Sequence, residues 1–224
     1  MGYHINLQEI SLDTFRERLC TTALIPSRRM LRDGVAQKFD QIRNRGINNL
    51  KELLDVLKSK PTLLAFSAES GLSEEYLTIL NREVKSQLPK PNRFRDFPNV
   101  APEVAEQLER HGIKHTKHLF AEILTPEKRA DFANRTGLAP EIVLKLTQLT
   151  DLSRIRWVNH TFARVLFRAG YDTAKKVAVA NYEEMYETIM KLNREEHLYK
   201  GHIGLNDMKM CVEAAQLVDP DIVY

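Results

Sequence analysis

The sequence has few of the features that mark secreted or membrane proteins. It contains only two cysteines, Cys20 and Cys211, near opposite ends of its 224 residues, so we do not expect a disulfide framework. No run of about 18 apolar residues occurs. The first ten residues lack the apolar core of a signal peptide. A reduced protein in the cytoplasm, with no membrane-spanning segment, is therefore expected.

Catalytic motifs are also lacking. There is no serine or cysteine in a nucleophile elbow, no glycine-rich phosphate loop, and no paired acidic motif beyond the glutamates typical of helix surfaces. His111, His115 and His118 have a spacing that could place them on one helical face around a metal ion. Gly112 interrupts that helix, however, and no cysteine completes the ligand set. We expect no enzymatic activity, no metal and no cofactor.

The charge of the chain is mild. With 33 lysines and arginines against 30 aspartates and glutamates, the net charge is +3, and the isoelectric point is near 8.8. Such values permit an anionic partner without requiring one, because dedicated nucleic-acid-binding domains carry a larger or more concentrated basic excess. The apolar fraction of 43% is sufficient for one large or two small hydrophobic cores.

The apolar pattern predicts helices almost throughout, because leucine, isoleucine, valine, phenylalanine and alanine recur at steps of three and four residues. No segment has the alternation typical of a strand. Capping residues and glycines mark the helix ends. The helices expected in the first part of the chain run from Ser11 to the break at Ile25, from about Gly34 to Arg45, from Asn49 through Leu57, from Lys60 to Gly71 and onward from Ser73. The predicted fold class is all-α.

The helical pattern also repeats along the chain. Gly46-Ile47 recurs as Gly112-Ile113, and Gly71-Leu72 recurs as Gly137-Leu138, both 66 residues later. A third copy carries Gly170-Tyr171, 58 residues after the second. Recurrence at a fixed offset predicts an array of stacked helix-hairpin-helix repeats. The expected organisation is an N-terminal arm and helix (1–31), a first repeat (32–86), a proline-rich linker (87–97), a second repeat (98–152) and a divergent third repeat with a C-terminal helix (153–224).

A family resemblance rests on motifs between Arg129 and Val218. The motifs are Phe132–Leu138, Leu149–Ile155, Phe162-Ala163 and Ala169–Thr173. On these motifs the chain resembles a bacterial family, the domain of unknown function 4332 family, whose members look like tandem helix-hairpin-helix modules. The resemblance implies a helical fold and a DNA-binding or recombination-type scaffold role. It implies no known reaction.

Helix-hairpin-helix modules that bind DNA usually carry glycines in the hairpin, so that backbone amides can approach a phosphate. The corresponding turns here are 32–36, 97–102 and 156–161, and only the first contains a glycine, Gly34 beside Asp33. This composition argues against contacts between backbone amides and phosphate at these turns.

The third hairpin is the most basic part of the chain, and there we expect side chains to contact the backbone of DNA with little sequence specificity. Trp157 beside it could stack on a base, or could belong to the core or its rim. The residues expected at this nucleic-acid site are Arg154, Arg156, Asn159, His160, Arg164, Arg168, Lys175 and Lys176.

Three other interpretations stay open. The basic residues could form an ordinary solvated helix face. The repeat surface could instead serve as a scaffold that binds a protein partner or a second copy of the chain. A cleft between repeats could also hold a small molecule or a lipid.

Overall fold

The computed structural model describes residues 2–224, so Met1, the first residue of the predicted N-terminal arm, lies outside it. Within the described residues there are thirteen α-helices and two short 3-10 helices. They contain no β-strand, only two isolated bridges. The all-α prediction is confirmed. In the same residues, no helix combines the length and the hydropathy needed to cross a membrane.

The chain divides into two compact units between Leu88 and Pro89. The first unit covers Ile5–Leu88 and contains five α-helices and a 3-10 helix, Pro26–Arg32. Its α-helices are α1 (Leu12–Thr21), α2 (Val35–Arg43), α3 (Leu50–Leu57), α4 (Lys60–Ser70) and α5 (Glu74–Lys85).

Helix starts in this unit lie where capping residues predict them. The side chains of Ser11, Asn49 and Ser73 each accept a hydrogen bond from a backbone amide three residues later. Such a bond satisfies one of the amides that a helix leaves without a partner in its first turn. The apolar face of each helix then packs into one core, in which the rings of Phe15 and Phe39 lie 6.2 Å apart.

The second unit consists of residues 2–4 and Pro89–Tyr224. After a 3-10 helix, Phe94–Asp96, it contains eight α-helices. They are α6 (Pro102–Arg110), α7 (Thr116–Phe120), α8 (Pro126–Thr136), α9 (Pro140–Leu152), α10 (His160–Arg168), α11 (Ala174–Ala178), α12 (Tyr182–Glu196) and α13 (Leu205–Ala215).

Most of the predicted linker, residues 89–97, lies in this second unit, and two of its side chains belong to the hydrophobic core. Phe94 and Phe97 are buried there, with their rings stacked 6.0 Å apart. Burying two phenylalanine side chains stabilises the segment by several kcal/mol, about 2 kcal/mol for each ring. These two aromatic side chains therefore anchor a segment that its prolines alone would leave extended.

Turns at equivalent positions of the repeat have the same backbone geometry. Gly112 and Gly170 both have φ near +80°, and the residue after each donates a 2.9 Å hydrogen bond to the carbonyl five residues earlier. The second pair of repeated glycines, Gly71 and Gly137, ends α4 and α8 in the left-handed region. In the third copy, α12 ends instead at His197, whose φ is +51°. The stacking of the three groups of helices stays a prediction.

Candidate nucleic-acid interface

Arg154 does not lie on the surface, so its predicted contact with phosphate is wrong. Its side chain is 2% exposed and forms ion pairs with Asp151 at 3.3 Å and Asp221 at 3.0 Å. It also donates to the carbonyl oxygens of Asp219 and Tyr3, at 2.9 and 3.3 Å. Arginine is almost never buried unless it is paired, and here the pairing joins both ends of the chain to the body of the second unit.

Two further predicted cations are already paired with carboxylates. The Arg168 guanidinium contacts both oxygens of Glu196, at 3.1 and 2.5 Å, and this partner raises the pKa of Arg168. Lys176 lies 2.8 Å from Asp172. Because each carboxylate offsets the positive charge of its partner, Arg168 and Lys176 would bind a phosphate only weakly.

The start of α10 uses two predicted residues for local structure. Asn159 caps the helix, its side-chain oxygen accepting from the amide of Phe162 at 2.9 Å. The His160 ring meets the ring of Phe97 edge-on at 6.2 Å. The remaining predicted residues are half-buried Arg156 and Arg164 and exposed Lys175.

The positive charge of the chain is clustered in three segments, and this clustering is a stronger basic feature than the third hairpin alone. Residues 89–95, 110–121 and 152–171 contain ten of the lysines and arginines of the chain and no aspartate or glutamate. A protein with nearly balanced charge would be expected to carry several carboxylates in stretches of this combined length. The overall charge of +3 therefore conceals strongly positive segments.

The fold brings these three segments together around one side chain, Asn92. The backbone of Asn92 accepts from the Thr116 amide at 2.9 Å and donates to the Thr116 hydroxyl at 3.1 Å. Its side-chain amide donates to the Ser153 hydroxyl at 2.9 Å and to the Val158 carbonyl at 3.3 Å. One asparagine thus links residues from all three acid-free segments.

Tyr3 supports this junction from inside the unit. Its hydroxyl hydrogen-bonds with the Thr116 hydroxyl at 2.7 Å and donates to the Ser153 carbonyl at 3.2 Å. Burial raises the pKa of Tyr3 to about 12, so the phenol stays protonated as a donor. A satisfied buried polar network of this kind rigidifies the elements it joins.

Four cations around the junction are exposed: Lys90, Arg93, Lys114 and Lys117. In residues 2–224 none of the four forms an ion pair with a carboxylate, whereas the neighbouring Arg95 is paired with Glu109. We call the surface formed by these four cations together with Arg156 and Trp157 the Asn92 surface.

The pKa values of two histidines beside this surface, His4 and His115, are lowered from their ordinary value. Burial lowers the pKa of His4, and Lys117 and Arg154 lower it further against the opposing hydrogen bond to Pro89. Burial also lowers the pKa of His115, with additional effects from His118, Lys117 and Arg93. No carboxylate in the described part of the chain contributes to either shift. The positive charge of this surface therefore rests on Lys90, Arg93, Lys114 and Lys117, the four cations that form no ion pair with a carboxylate within residues 2–224.

Trp157 lies at the edge of the Asn92 surface in an unusual backbone conformation. Its φ is +68°, and its side chain is 40% exposed. The left-handed region costs a residue with a bulky side chain roughly 1–2 kcal/mol. The Arg156 guanidinium lies 3.7 Å from the centroid of the indole ring, within the range of a cation–π interaction. The next residue, Val158, is the one whose carbonyl binds Asn92.

Other kinds of site receive less support. Among residues 2–224, no three histidine, cysteine, aspartate or glutamate side chains are grouped so that they could hold a metal ion. The His115 and His118 rings lie 3.5 Å apart, but the His115 ring nitrogen accepts from the His118 amide as a helix cap. A groove along α1 and α2 in the first unit is open and mixed in charge, unlike the enclosed apolar pockets that bind small molecules or lipids.

Comparison with known proteins gives one match. The family model of a domain of unknown function, DUF4332, matches residues 98–217, which is more than half of the chain and includes α6 to α13. No curated protein and no solved structure matches. Two of the three acid-free segments lie inside the matched region, and the segment with Lys90 and Arg93 precedes it.

Proposed function

The chain belongs to the family of the domain of unknown function DUF4332, and from that premise we propose that it binds the sugar–phosphate backbone of nucleic acids. The binding site is the Asn92 surface. The proposal includes no catalysed reaction and no cofactor, and it requires a compartment that contains nucleic acid, which we expect to be the cytoplasm.

One observation carries the proposal: three acid-free segments meet through the hydrogen bonds of Asn92. Lysines and arginines that neutralise phosphates release the counterions condensed on nucleic acid, and this release supplies most of the affinity in binding without sequence specificity. No ion pair with a carboxylate has to be broken before a phosphate can bind to Lys90, Arg93, Lys114 or Lys117. Their charges are therefore available for this contact.

The placement of the cations also indicates low sequence specificity. Lys90 and Arg93 lie outside any helix, before the 3-10 helix Phe94–Asp96, and Lys114 lies in the loop before α7. Reading base edges in a groove requires a helix or a β-ribbon that enters it with several polar side chains. Lys117 lies in α7, a helix of only five residues. Cations in such loops and in one short helix suit phosphate contacts, which position a protein without reading sequence.

Fluorescence anisotropy with labelled duplex and single-stranded DNA, measured at several salt concentrations, tests the proposal. The informative variant is Lys114→Glu/Lys117→Glu. The matched control is Lys191→Glu/Lys209→Glu, which makes the same change in net charge at exposed lysines of α12 and α13. We expect the first variant to weaken binding and to reduce the salt slope by about one for each phosphate that it no longer neutralises. The control should change both quantities little.

Two results would contradict the proposal. One is the absence of binding to either DNA at low salt, which would favour the alternative of a scaffold for a protein partner. The other is an equal loss of affinity in the two charge-reversal variants, because it would mean that net charge rather than the Asn92 surface controls binding.

A further inference from the structure

Trp157 suggests which form of nucleic acid the Asn92 surface binds. We infer that the ligand is single-stranded nucleic acid, and that an unpaired base stacks on the Trp157 indole while the neighbouring cations contact its phosphates. This inference rests on the proposed function, since it assumes that the Asn92 surface binds phosphates.

The conformation of Trp157 is the first observation. Its side chain is 40% exposed, although tryptophan is highly buried on average. Its backbone has φ +68°, in a region that bulky residues rarely adopt. Strained residues of this kind persist where the surrounding structure holds them, and they cluster at binding sites. The turn therefore presents the indole at the surface.

The surroundings of the ring are the second observation. The Arg156 guanidinium lies over the indole ring, 3.7 Å from its centroid, so one face of the ring already carries positive charge and the opposite face is the one on which a base would stack. The carbonyl of Val158 accepts from Asn92, which ties the turn to the segments that carry Lys90, Arg93, Lys114 and Lys117. Aromatic side chains beside a positively charged groove are how proteins bind single strands without reading sequence, because every base has a face that can stack.

A duplex fits this arrangement less well. Bases in a duplex are stacked on each other and paired, so one of them can reach an exposed indole only after it has been extruded at a cost in free energy. A single strand offers unpaired bases and phosphates together. The Asn92 surface should thus discriminate between the two forms through Trp157, whereas its cations attract both.

The experiment uses the intrinsic fluorescence of the chain, which contains a single tryptophan. The full chain is titrated with three probes: an oligothymidylate, an abasic oligomer with the same number of phosphates, and a duplex of the same length. We expect the oligothymidylate to quench Trp157 fluorescence and to bind about tenfold more tightly than the abasic oligomer, as the stacking of one base would produce.

Two variants separate the ring from the fold. Trp157→Phe retains an aromatic ring and should retain part of the preference for the oligothymidylate. Trp157→Asn removes the ring but suits the left-handed conformation, because asparagine tolerates positive φ. For this variant, anisotropy of labelled probes should show the oligothymidylate and the abasic oligomer binding equally. Circular dichroism establishes that both variants are folded.

The outcomes distinguish the two proposals. Salt-dependent binding of all three probes with equal affinity and no change in Trp157 fluorescence would overturn the stacking inference and leave phosphate binding intact. No binding of any probe at low salt would overturn the proposed function itself. A duplex that binds more tightly than the oligothymidylate would also contradict the inference.

Discussion

Replacing Arg154 with methionine would remove the cation at the centre of the buried network that holds both ends of the second unit. Methionine fills much of the same volume, so the main loss is electrostatic. Asp151, 4% exposed, would become a buried carboxylate without its positive partner. Breaking a buried ion pair in this way costs about 3–5 kcal/mol. This cost is a large fraction of the roughly 5–15 kcal/mol that stabilises a typical domain.

Urea denaturation followed by Trp157 fluorescence measures this cost, because the single tryptophan lies in the same unit as Arg154. With a denaturant slope of about 2 kcal/mol per molar, the midpoint should fall by about 2 M. Arg164→Met is the matched control: within residues 2–224 Arg164 forms no hydrogen bond or ion pair, and its replacement should change stability by less than about 0.5 kcal/mol. Equal midpoints for the two variants would refute the role assigned to Arg154.

The pH dependence gives a second test of the same network. Burial raises the pKa of Asp151, while the Ala174 amide, Arg154 and Tyr224 oppose the rise. Without Arg154 the folded-state pKa rises further. A carboxyl whose pKa is higher in the folded than in the unfolded state costs stability as pH increases between the two values. The destabilisation by Arg154→Met should therefore shrink as pH falls from 7 toward 4, and adding Asp151→Asn should abolish this trend.

Three further changes test the turn, the junction and an exposed ion pair, with stability measured by the same urea titration. Gly112→Ala should lower the free energy of unfolding by about 1–2 kcal/mol. The loss comes from the backbone φ of +79°, because a Cβ at this position meets nothing within 4 Å. Gly112→Asn should lower it less, and equal losses for the two variants would contradict the backbone explanation. Asn92→Ala should cost about 1–3 kcal/mol and weaken DNA binding, so an unchanged affinity would count against Asn92 as the organiser of the surface. Arg168→Ala should cost less than about 1 kcal/mol, because its ion pair with Glu196 is exposed, and a larger loss would show that this pair is more than a surface contact.

Much of the fold could be predicted because its signals are local. Three helices begin at a capping side chain that binds the amide three residues later, at Ser11, Asn49 and Ser73. Another helix, α4, ends at Gly71, whose own left-handed conformation terminates it. Such signals need no knowledge of distant contacts. Within the predicted linker (87–97), the burial of Phe94 and Phe97 had no such local signal, because it depends on tertiary packing, which overrides the local effect of the prolines.

The candidate site was harder to predict, because it depends on contacts between distant residues. Asn92 binds residues 24, 61 and 66 positions away, and no local pattern specifies such pairs. Arg154 was expected at the nucleic-acid site because it belongs to the most basic hairpin of the chain, and its partner Asp221 lies 67 positions away. The absence of carboxylates from three segments is visible in the sequence, but only the fold shows that these segments meet.

Mapping amide chemical shifts by NMR during a titration with single-stranded DNA tests the central claim most directly. If the Asn92 surface is the binding site, the shifts will be concentrated in residues 90–93, 114–118 and 156–160, and they will diminish as salt is added. Residues of α12 and α13 away from this surface should not shift. Shifts concentrated in those helices or in the first unit, or no shifts at low salt, would contradict the account.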